Sequence, residues 1–433
     1  MSIVKINADE LQHMNTKADY LIIGGGIIGM AIARALQIKN HKEKIVLIEK
    51  EEDIGRHASG RNSGVLHAGF YYTKDSLKAK LTAKGNVAMK EFCKEKKISV
   101  NPCGKLVVAR NEEELKTLYE LEKRGKSNGA NVKIITAREA QKLEPRIKTF
   151  QKALYSPDTA SVRPQDVCQA LKEDITAKGV EVVTNCQFKG YKIKKTIGDG
   201  ETVSDNGIVR TTRGNFQAKY VINAAGLYAD KVAHSFGFGK EYSILPFKGL
   251  YLPYYGEDRD DIKMHIYPVP LLANPFLGVH FTKMADGSTK IGPTAILALW
   301  REQYGLFRRF RFGEFLSILY YASIIFLKNK FNFRALAIEE ARKYFKTVLV
   351  KSAADLAEGV DPKDFGAFTK PGIRAQLLHK RSLSLVQDFV IEGDDKSIHI
   401  LNAVSPAFTC AFPFAELVVD MIKEKKDIDK RRY

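Results

Sequence analysis

The chain has 433 residues, of which 45% are apolar and 10% are aromatic. A chain of this length exceeds the size at which a single hydrophobic core stops growing, which predicts two joined domains, and the composition excludes a largely disordered protein. The formal net charge of +19 predicts a basic surface that attracts phosphates, anionic lipids and acidic metabolites, without choosing among them.

The cysteines and the N-terminal segment bear on the cellular compartment. The five cysteines are scattered along the chain, and no two of them form a CxxC pair. This pattern indicates neither a disulfide framework nor a zinc or iron–sulfur site, so we expect no metal. Residues 1–20 are polar and include acids, unlike the basic start and apolar centre of a secretory signal. We therefore expect a cytoplasmic protein with reduced thiols.

A strand, a turn and a helix form the first recognisable pattern. Residues 20–23 are a short apolar strand pattern, and a GxGxxG turn then leads into an apolar run with helical spacing. In this motif Gly24 permits the tight turn, Gly26 lets the backbone approach a pyrophosphate, and Gly29 lets the helix pack closely on the strand. The pattern predicts a dinucleotide at the helix N-terminus; the alternative is a glycine-rich turn that serves packing alone.

An acidic residue favours the dinucleotide. The next predicted strand, residues 44–48, ends in Glu49, which lies 20 residues after Gly29. An acid at this position bonds the ribose hydroxyls and disfavours the 2′-phosphate of NADP. Strand, turn, helix and acid therefore occur in the order that dinucleotide binding requires.

Two later stretches favour FAD over NAD. Residues 51–64 form a loop rich in glycine and small polar residues, which can follow a second path from the pyrophosphate towards a ring. Residues 220–226 form a strand that stops in Ala-Ala-Gly, and we expect this strand beside the same nucleotide. The cofactor contacts predicted from these stretches are Arg61, Ser63, Gly64, Ala225 and Gly226.

Residues 306–330 combine cations with an apolar run of 13 residues from Phe315 to Leu327. This run is shorter than the roughly 20 residues that cross a bilayer, so it is not a membrane span. It can dock on an anionic membrane surface, with its cations at the headgroups, or it can be a core helix of the substrate domain. The basic segment 423–433 adds to the attraction for a membrane, which would place the protein on the inner face.

The order of these patterns predicts an α/β fold, α+β overall, in two discontinuous domains. A Rossmann-like FAD-binding domain is assembled from residues 18–90, 151–244 and 366–433. A substrate-binding domain, built on a mainly antiparallel β-sheet, comprises residues 91–150 and 245–365 and includes segment 306–330. We expect the active site at the interface of the two domains.

Several longer blocks resemble the D-amino-acid-oxidase-like superfamily of FAD enzymes and, within it, the L-2-hydroxyglutarate dehydrogenase/oxidase family. The similarity extends from about residue 18 almost to the C-terminus, with the order and spacing of the blocks preserved. The blocks that carry it are residues 60–72 (GRNSGVLHAGFYY), 266–270 (IYPVP), 276–282 (FLGVHFT), 292–295 (GPTA), 372–377 (GIRAQL) and 405–409 (SPAFT).

The resemblance implies oxidation of a 2-hydroxy acid, which needs a carboxylate anchor, a base for the hydroxyl proton and a C2 atom held against the flavin. Arg374 is the predicted anchor, assisted by Lys248; each is alternatively a surface cation near the flavin. His67 is predicted to act as the base, to contact the ring or to attach it covalently, unless it is a buried structural histidine. His280 points either at the flavin or into the core.

The last block lies before an apolar helical run. At such a helix N-terminus, the backbone of Ser405, Phe408 and Thr409 is predicted to donate amides to the flavin edge; the alternative is an ordinary helix cap. The chain departs from the family pattern in the region that lines flavin and substrate. The departures are Lys248, Leu250, Thr294 and Ala407.

The leading hypothesis is FAD-dependent oxidation of an L-2-hydroxy acid, namely L-2-hydroxyglutarate to 2-oxoglutarate, with electrons passed to a quinone or to oxygen. The first alternative keeps the fold but oxidises an amine, as glycine and sarcosine oxidases do. A flavin-containing nucleic-acid-binding protein is the alternative of another class, suggested by the charge of +19. The sequence contains no nucleic-acid-binding module, and its basic residues are dispersed, so we expect no nucleic-acid partner.

Overall fold

A computed structural model of the chain describes residues 15–192, 207–256, 262–270, 276–329 and 332–424. The helices are α1 (Ile27–Lys39), α2 (Leu77–Glu95), α3 (Glu112–Ser127), α4 (Ala137–Leu143), α5 (Pro164–Ala177), α6 (Ala229–Phe236), α7 (Phe312–Lys328), α8 (Phe333–Arg342), α9 (Lys346–Ala354) and α10 (Ala411–Lys423), with short 3-10 helices at Gly226–Tyr228 and Pro362–Asp364. The strands are β1 (Asn15–Ile23), β2 (Ile45–Ile48), β3 (Val65–Leu66), β4 (Val100–Asn101), β5 (Lys105–Val108), β6 (Lys133–Thr136), β7 (Lys152–Ser156), β8 (Ala160–Val162), β9 (Glu181–Val183), β10 (Phe188–Lys192), β11 (Ile208–Thr211), β12 (Gly214–Asn223), β13 (Tyr242–Gly249), β14 (Leu252–Tyr254), β15 (His265–Pro268), β16 (His280–Lys283), β17 (Thr289–Gly292), β18 (Ile296–Leu297), β19 (Gly372–His379), β20 (Ser384–Leu385), β21 (Val390–Gly393) and β22 (Ser397–Asn402).

The first sheet has a parallel centre in the order β9, β2, β1, β12, β22, extended by the antiparallel strands β10, β11 and β21. Side chains of β1 alternate between two cores. Ile22 packs with α1, α5 and α10 on one face, whereas Leu21 and Ile23 pack with α6 on the other. Because helices cover both faces of the first sheet, the central strands of this sheet are continuously apolar, as in β2 (Ile45–Ile48). The predicted Rossmann-like fold is confirmed.

The second sheet runs in the order β14, β17, β16, β15, β5, β7, β6, and all of its pairs are antiparallel except β15 with β5. Its two faces are also covered by helices. On β5, Leu106 and Val108 belong to the core under α9, and Val107 belongs to the core under α3. This sheet confirms the predicted mainly antiparallel second layer.

Two smaller sheets join distant parts of the chain. β13 and β19 pair antiparallel over eight positions, with Phe247 opposite Arg374, and β18 and β20 extend this pair. β3, β8 and β4 form a three-stranded sheet whose first strand ends just before His67. β7 and β19 come from segments predicted for the FAD-binding domain. They pair with β5 and with β13, which lie wholly and mostly in segments predicted for the substrate-binding domain, so the pairs cross the predicted boundaries. The predicted domain boundaries stay a prediction.

Helix α7 and the loop before it expose most of their apolar residues. Within α7 only Glu314, Ile318 and Ile325 are buried. This exposure contradicts the alternative that segment 306–330 is a core helix of the substrate domain. Lys330, and residues 425–433 of the basic C-terminal segment, lie outside the described residues. None of the described helices is both long and apolar enough to cross a membrane. The exposed large side chains are Leu306, Phe307, Phe310, Phe312, Leu316, Leu319, Tyr320, Phe326 and Leu327.

Candidate active site

The glycine turn between β1 and α1 has no room for side chains. Gly24 has a φ of +116°, and a Cβ there would lie 2.4 Å from the carbonyl oxygen of Ala224 at the end of β12. A Cβ at Gly29 would lie 2.1 Å from the carbonyl oxygen of Gly24, and one at Gly26 would lie 3.1 Å from Ser59 Oγ. The turn therefore leaves backbone exposed at the N-terminus of α1, where helix geometry favours a bound phosphate.

Two side chains hold this turn in place. The buried carboxylate of Glu49 accepts hydrogen bonds from the backbone N–H groups of Gly25 at 2.8 Å and Glu51 at 2.9 Å. Ser59 Oγ accepts one from Ile27 N–H, at the first residue of α1, at 2.9 Å. Ser59 was not among the residues predicted from the sequence, where its only signal is a small polar side chain in the loop after Glu49. Glu49 thus stands at the predicted ribose position and also fixes the turn.

A cavity of about 630 Å³ starts at the glycine turn and continues to the loop that carries His67. Gly29 and Gly64 are not in its lining, because each packs tightly against backbone: a Cβ at Gly64 would lie 2.1 Å from the carbonyl oxygen of Val162. The other predicted cofactor contacts all line the cavity: Gly24, Gly26, Glu49, Arg61, Ser63, Ala225, Gly226, Ser405, Phe408 and Thr409.

His67 lies in the cavity wall with its backbone fixed on both sides. Its N–H donates to Thr409 Oγ1 at 3.2 Å, its carbonyl accepts from Asn86 Nδ2 at 3.2 Å, and Thr409 Oγ1 donates to the carbonyl of Val65 at 3.3 Å. The imidazole Nδ1 is buried and has no hydrogen-bond partner in the described part of the chain. Burial, together with the neighbouring Lys105, lowers the pKa of His67 well below its usual value. The ring is therefore neutral at pH 7.

His280 lines the same cavity and stacks on Tyr267, with ring centroids 3.6 Å apart and 18° between the ring planes. Its Nδ1 lies 2.9 Å from the carbonyl oxygen of Gly278. Because a carbonyl only accepts, Nδ1 carries the proton and Nε2 is left as an acceptor. Burial lowers the pKa of His280 to about 3. The described structure therefore favours the cavity over the core as the place of this ring.

Of the two predicted carboxylate anchors, only Arg374 reaches the cavity. Its guanidinium lies 5.3 Å from the centroid of the Phe276 ring, and burial lowers its pKa from the ordinary value. Lys248 is absent from the lining, whereas its neighbours Phe247 and Gly249 contribute to it. Side chains alternate along a strand, so Lys248 on β13 faces away, and its predicted assistance at the anchor is not supported.

Residues 19–421 of the chain match the sequence pattern of the FAD dependent oxidoreductase family. The human protein named "L-2-hydroxyglutarate dehydrogenase, mitochondrial" is 35% identical over 422 residues, which cover 95% of this chain and 89% of that protein. The Escherichia coli K12 protein named "L-2-hydroxyglutarate dehydrogenase" is 34% identical over 408 residues, covering 94% and 93%. The chain belongs to the L-2-hydroxyglutarate dehydrogenase family of FAD-dependent oxidoreductases.

Solved structures of two oxidases share the fold. The Mycoplasma pneumoniae L-α-glycerophosphate oxidase with FAD bound has a TM-score of 0.73 at 22% identity and covers 94% of this chain and 95% of that one. The glycine oxidase of Geobacillus kaustophilus has a TM-score of 0.68 at 20% identity, covering 95% and 96%. The tight glycine turn, the buried Glu49 and the long cavity fit FAD, the cofactor of this enzyme.

Two of the four departures from the family pattern line the cavity, namely Thr294 and Ala407. Thr294 Oγ1 donates to the carbonyl of Lys248 at 2.9 Å and accepts from the N–H of Leu250 at 3.1 Å. The Thr294 hydroxyl therefore joins its loop to the end of β13. Lys248 and Leu250 are buried and are absent from the lining. The enzyme thus differs from the family pattern both in the cavity wall and behind it.

Proposed function

We propose that this FAD-dependent enzyme oxidises L-2-hydroxyglutarate to 2-oxoglutarate. The observation that carries the proposal is the likeness to L-2-hydroxyglutarate dehydrogenases along almost the whole chain, at 34–35% identity over 94–95% of its length for the human and E. coli K12 proteins. The cavity supports it because an arginine and two neutral histidines line its wall, and these groups suit a carboxylate and a hydroxyl group.

Arg374 binds a carboxylate of the substrate. The planar guanidinium can donate two parallel hydrogen bonds to the two oxygens of one carboxylate, and the apolar neighbours Phe247 and Phe276 keep water away from the pair. In such surroundings the attraction between opposite charges exceeds that in water. Arg374 thereby fixes the orientation in which C2 is presented.

His67 accepts the hydroxyl proton as the C2 carbonyl forms. It can do so at neutral pH because burial keeps the imidazole unprotonated. FAD, when bound, supplies the acceptor for the hydride that leaves C2. The free Nε2 of His280 is a second acceptor, which orients the hydroxyl group or holds a water molecule. Of the two neutral histidines in the cavity wall, His67 thus accepts the proton and His280 orients the hydroxyl group or holds a water molecule.

An anaerobic titration of the purified, FAD-loaded protein tests the substrate. We expect L-2-hydroxyglutarate to bleach the flavin absorbance, and D-2-hydroxyglutarate, glycine and sarcosine to leave it unchanged. The D enantiomer is a matched control because it has the same charges and atoms. Bleaching by an amine alone would contradict the proposal and favour the amine oxidase, and a protein that cannot be loaded with FAD would contradict both.

We further propose that the exposed residues of segment 306–328 form a docking surface for an anionic membrane, from which a quinone takes the electrons. This α7 surface presents aromatic and aliphatic side chains, including Phe307 at 76% exposure and Leu327 at 70%. Arg308, Arg311 and Lys328 are exposed among them, so the surface combines apolar insertion with attraction to anionic headgroups. Arg311 also lines the cofactor cavity, which brings the surface next to the flavin site.

Vesicle sedimentation tests the α7 surface. We expect the protein to sediment with phosphatidylcholine vesicles that contain anionic phosphatidylglycerol, not with pure phosphatidylcholine vesicles, and to bind less as salt screens the charges. The double variant Phe307→Ser/Leu327→Ser should stay in solution. Val87→Ser, which removes an exposed apolar side chain on α2, is the control. Equal binding of all variants, or hydrogen peroxide as the sole product of reoxidation in the presence of a quinone, would contradict this proposal.

A further inference from the structure

Lys105 is a buried lysine that forms no ion pair with any of the described residues. It lies on β5 with no exposed surface, and its Nζ has no hydrogen-bond partner in the part of the chain that the structure describes. No described carboxylate forms an ion pair with it. Burying an uncompensated ammonium group is costly, so a lysine at this place calls for an explanation other than packing. Nothing in the amino-acid sequence marks Lys105 as unusual, because it is the first residue of an ordinary apolar strand.

The surroundings of Lys105 connect it to the active-site wall. Its Nζ lies 3.8 Å from the centroid of the Tyr267 ring, so the cation sits over the ring face, and Tyr267 stacks on His280. Lys105 is also opposite His265 in the register of β5 and β15. Tyr267, His280 and His67 line the cavity, whereas Lys105 is absent from the lining and contacts the Tyr267 ring. Further buried polar atoms without a hydrogen-bond partner in the described structure include His67 Nδ1, Tyr71 Oη and His265 Nε2.

We propose that Lys105 is a positioning residue whose positive charge, held behind the active-site wall, adds to burial in keeping His67 unprotonated. The inference rests on the proposed function, in which His67 accepts the hydroxyl proton of the substrate. Lys105 does not contact the substrate. It acts through its charge, which opposes a second proton on the neighbouring imidazole.

The order of protonation follows from the surroundings of each group. Burial lowers the pKa of Lys105 to about 7, and Cys103 opposes this shift only weakly. The face of the Tyr267 ring lies 3.8 Å from the ammonium and stabilises it. The half-buried Lys290 is a second cation that acts on His265 and His280. The pKa of His67 is lowered further below neutrality, first by burial and then by Lys105, with contributions from His265, His280 and Arg374. As pH falls, Lys105 therefore takes the first proton of the coupled cluster, and its charge delays protonation of His67.

The pH dependence of kcat/KM tests this role. In Lys105→Met the opposing charge is gone, so we expect the acidic limb of kcat/KM to move to higher pH by about one unit, the shift that one nearby charge produces in a partly polar interior. Lys105→Arg keeps the charge and should keep the limb of the wild type. Lys133→Met is the matched control, because Lys133 lies over the Tyr155 ring of the same sheet but is exposed.

Stability separates positioning from a structural role. Removing a buried, unpaired charge should leave the melting temperature of Lys105→Met at pH 6 equal to or above that of the wild type, whereas loss of a structural lysine would lower it. An unchanged acidic limb in a folded, FAD-loaded Lys105→Met would overturn the proposal. If this variant does not fold, the neutral and polar Lys105→Gln replaces it, with the same expected shift.

A direct measurement of His67 is independent of the substrate. The pKa of His67 can be followed by NMR in histidine-labelled holoenzyme without substrate, after assignment with His67→Asn. We expect this pKa to rise in Lys105→Met and to stay unchanged in Lys133→Met. A rise supports the electrostatic role of Lys105 even if no 2-hydroxy acid bleaches the flavin, which would contradict only the proposed function. An unchanged pKa overturns the role of Lys105 whatever the substrate is.

Discussion

Thr409 Oγ1 accepts a hydrogen bond from the backbone N–H of His67 at 3.2 Å, although 342 residues separate the two in the chain. The same oxygen donates to the carbonyl of Val65 at 3.3 Å. One hydroxyl group just before α10 thus holds both ends of the short backbone segment that carries the proposed base. The geometry of His67 therefore depends on the C-terminal part of the fold.

Replacing Thr409 by valine should loosen this segment. Thr409→Val keeps the shape but leaves the buried N–H of His67 and the carbonyl of Val65 without their partner, which should lower the free energy of unfolding by about 1–3 kcal/mol and also lower kcat. Thr409→Ser, which keeps the hydroxyl, is the control. Urea unfolding and steady-state kinetics measure both effects, and a valine variant as stable and active as the serine variant would contradict the role of this hydroxyl.

Replacing Arg374 should weaken binding of the substrate. Arg374→Gln removes the charge from a site that we propose to hold a carboxylate, so kcat/KM for L-2-hydroxyglutarate should fall on the order of 100-fold or more. Arg374→Lys should recover only part of it, since an ammonium cannot form the bidentate pair. Lys248→Gln should change kcat/KM much less, because Lys248 faces away from the cavity. Similar losses in the Arg374 and Lys248 variants would contradict the assignment.

Gly29→Ala should prevent tight binding of FAD. The added Cβ would lie 2.1 Å from the carbonyl oxygen of Gly24, so α1 must move away from the turn that we propose to hold the pyrophosphate. We expect the purified variant to contain little flavin by its absorbance near 450 nm. Gly313→Ala is the control because nothing lies within 4 Å of its Cβ position. Full flavin content in Gly29→Ala would show that the turn tolerates this shift.

Asp174 should contribute stability that is lost in acid. Its carboxylate, at the end of α5, bonds Arg34 at 2.8 Å, Lys96 at 2.6 Å and Lys178 at 2.7 Å. Burial alone would raise the pKa of Asp174, but these three cations lower it from 3.8 to about 2. Because the folded pKa is the lower one, the stabilisation of about 2 kcal/mol is present above pH 4 and disappears as pH falls towards 2.

The measurement for Asp174 is a series of urea unfolding curves between pH 7 and pH 2. Asp174→Asn should be less stable than the wild type by a constant amount from pH 7 to pH 4, and the gap should close between pH 4 and pH 2. Asp420→Asn is the control, since the pair of Asp420 with Lys39 is largely exposed and contributes little. A gap that closes between pH 7 and pH 5 would indicate that a histidine, not Asp174, is responsible.

The amino-acid sequence by itself determined the dinucleotide turn. Gly24, Gly26 and Gly29 stand at short, fixed separations within one strand–turn–helix unit, and Glu49 closes the next strand. The physical constraints on such residues are local: a positive φ, a helix that must approach a strand, and an acid at a strand end. For this reason the motif and the parallel layer around it could be predicted without knowledge of the tertiary structure.

Only the tertiary structure decided which side chains meet around the active site. A hydrogen bond joins His67 to Thr409, which lie in loops 342 residues apart in the chain. Strand register brings Lys105 on β5 next to Tyr267 on β15, and Tyr267 next to His280 on β16. Register also turned Lys248 away from the cavity, since a shift of one residue reverses the face of a side chain. The exposure of α7 depended in the same way on packing: an apolar run has the same sequence whether other elements cover it or leave it open.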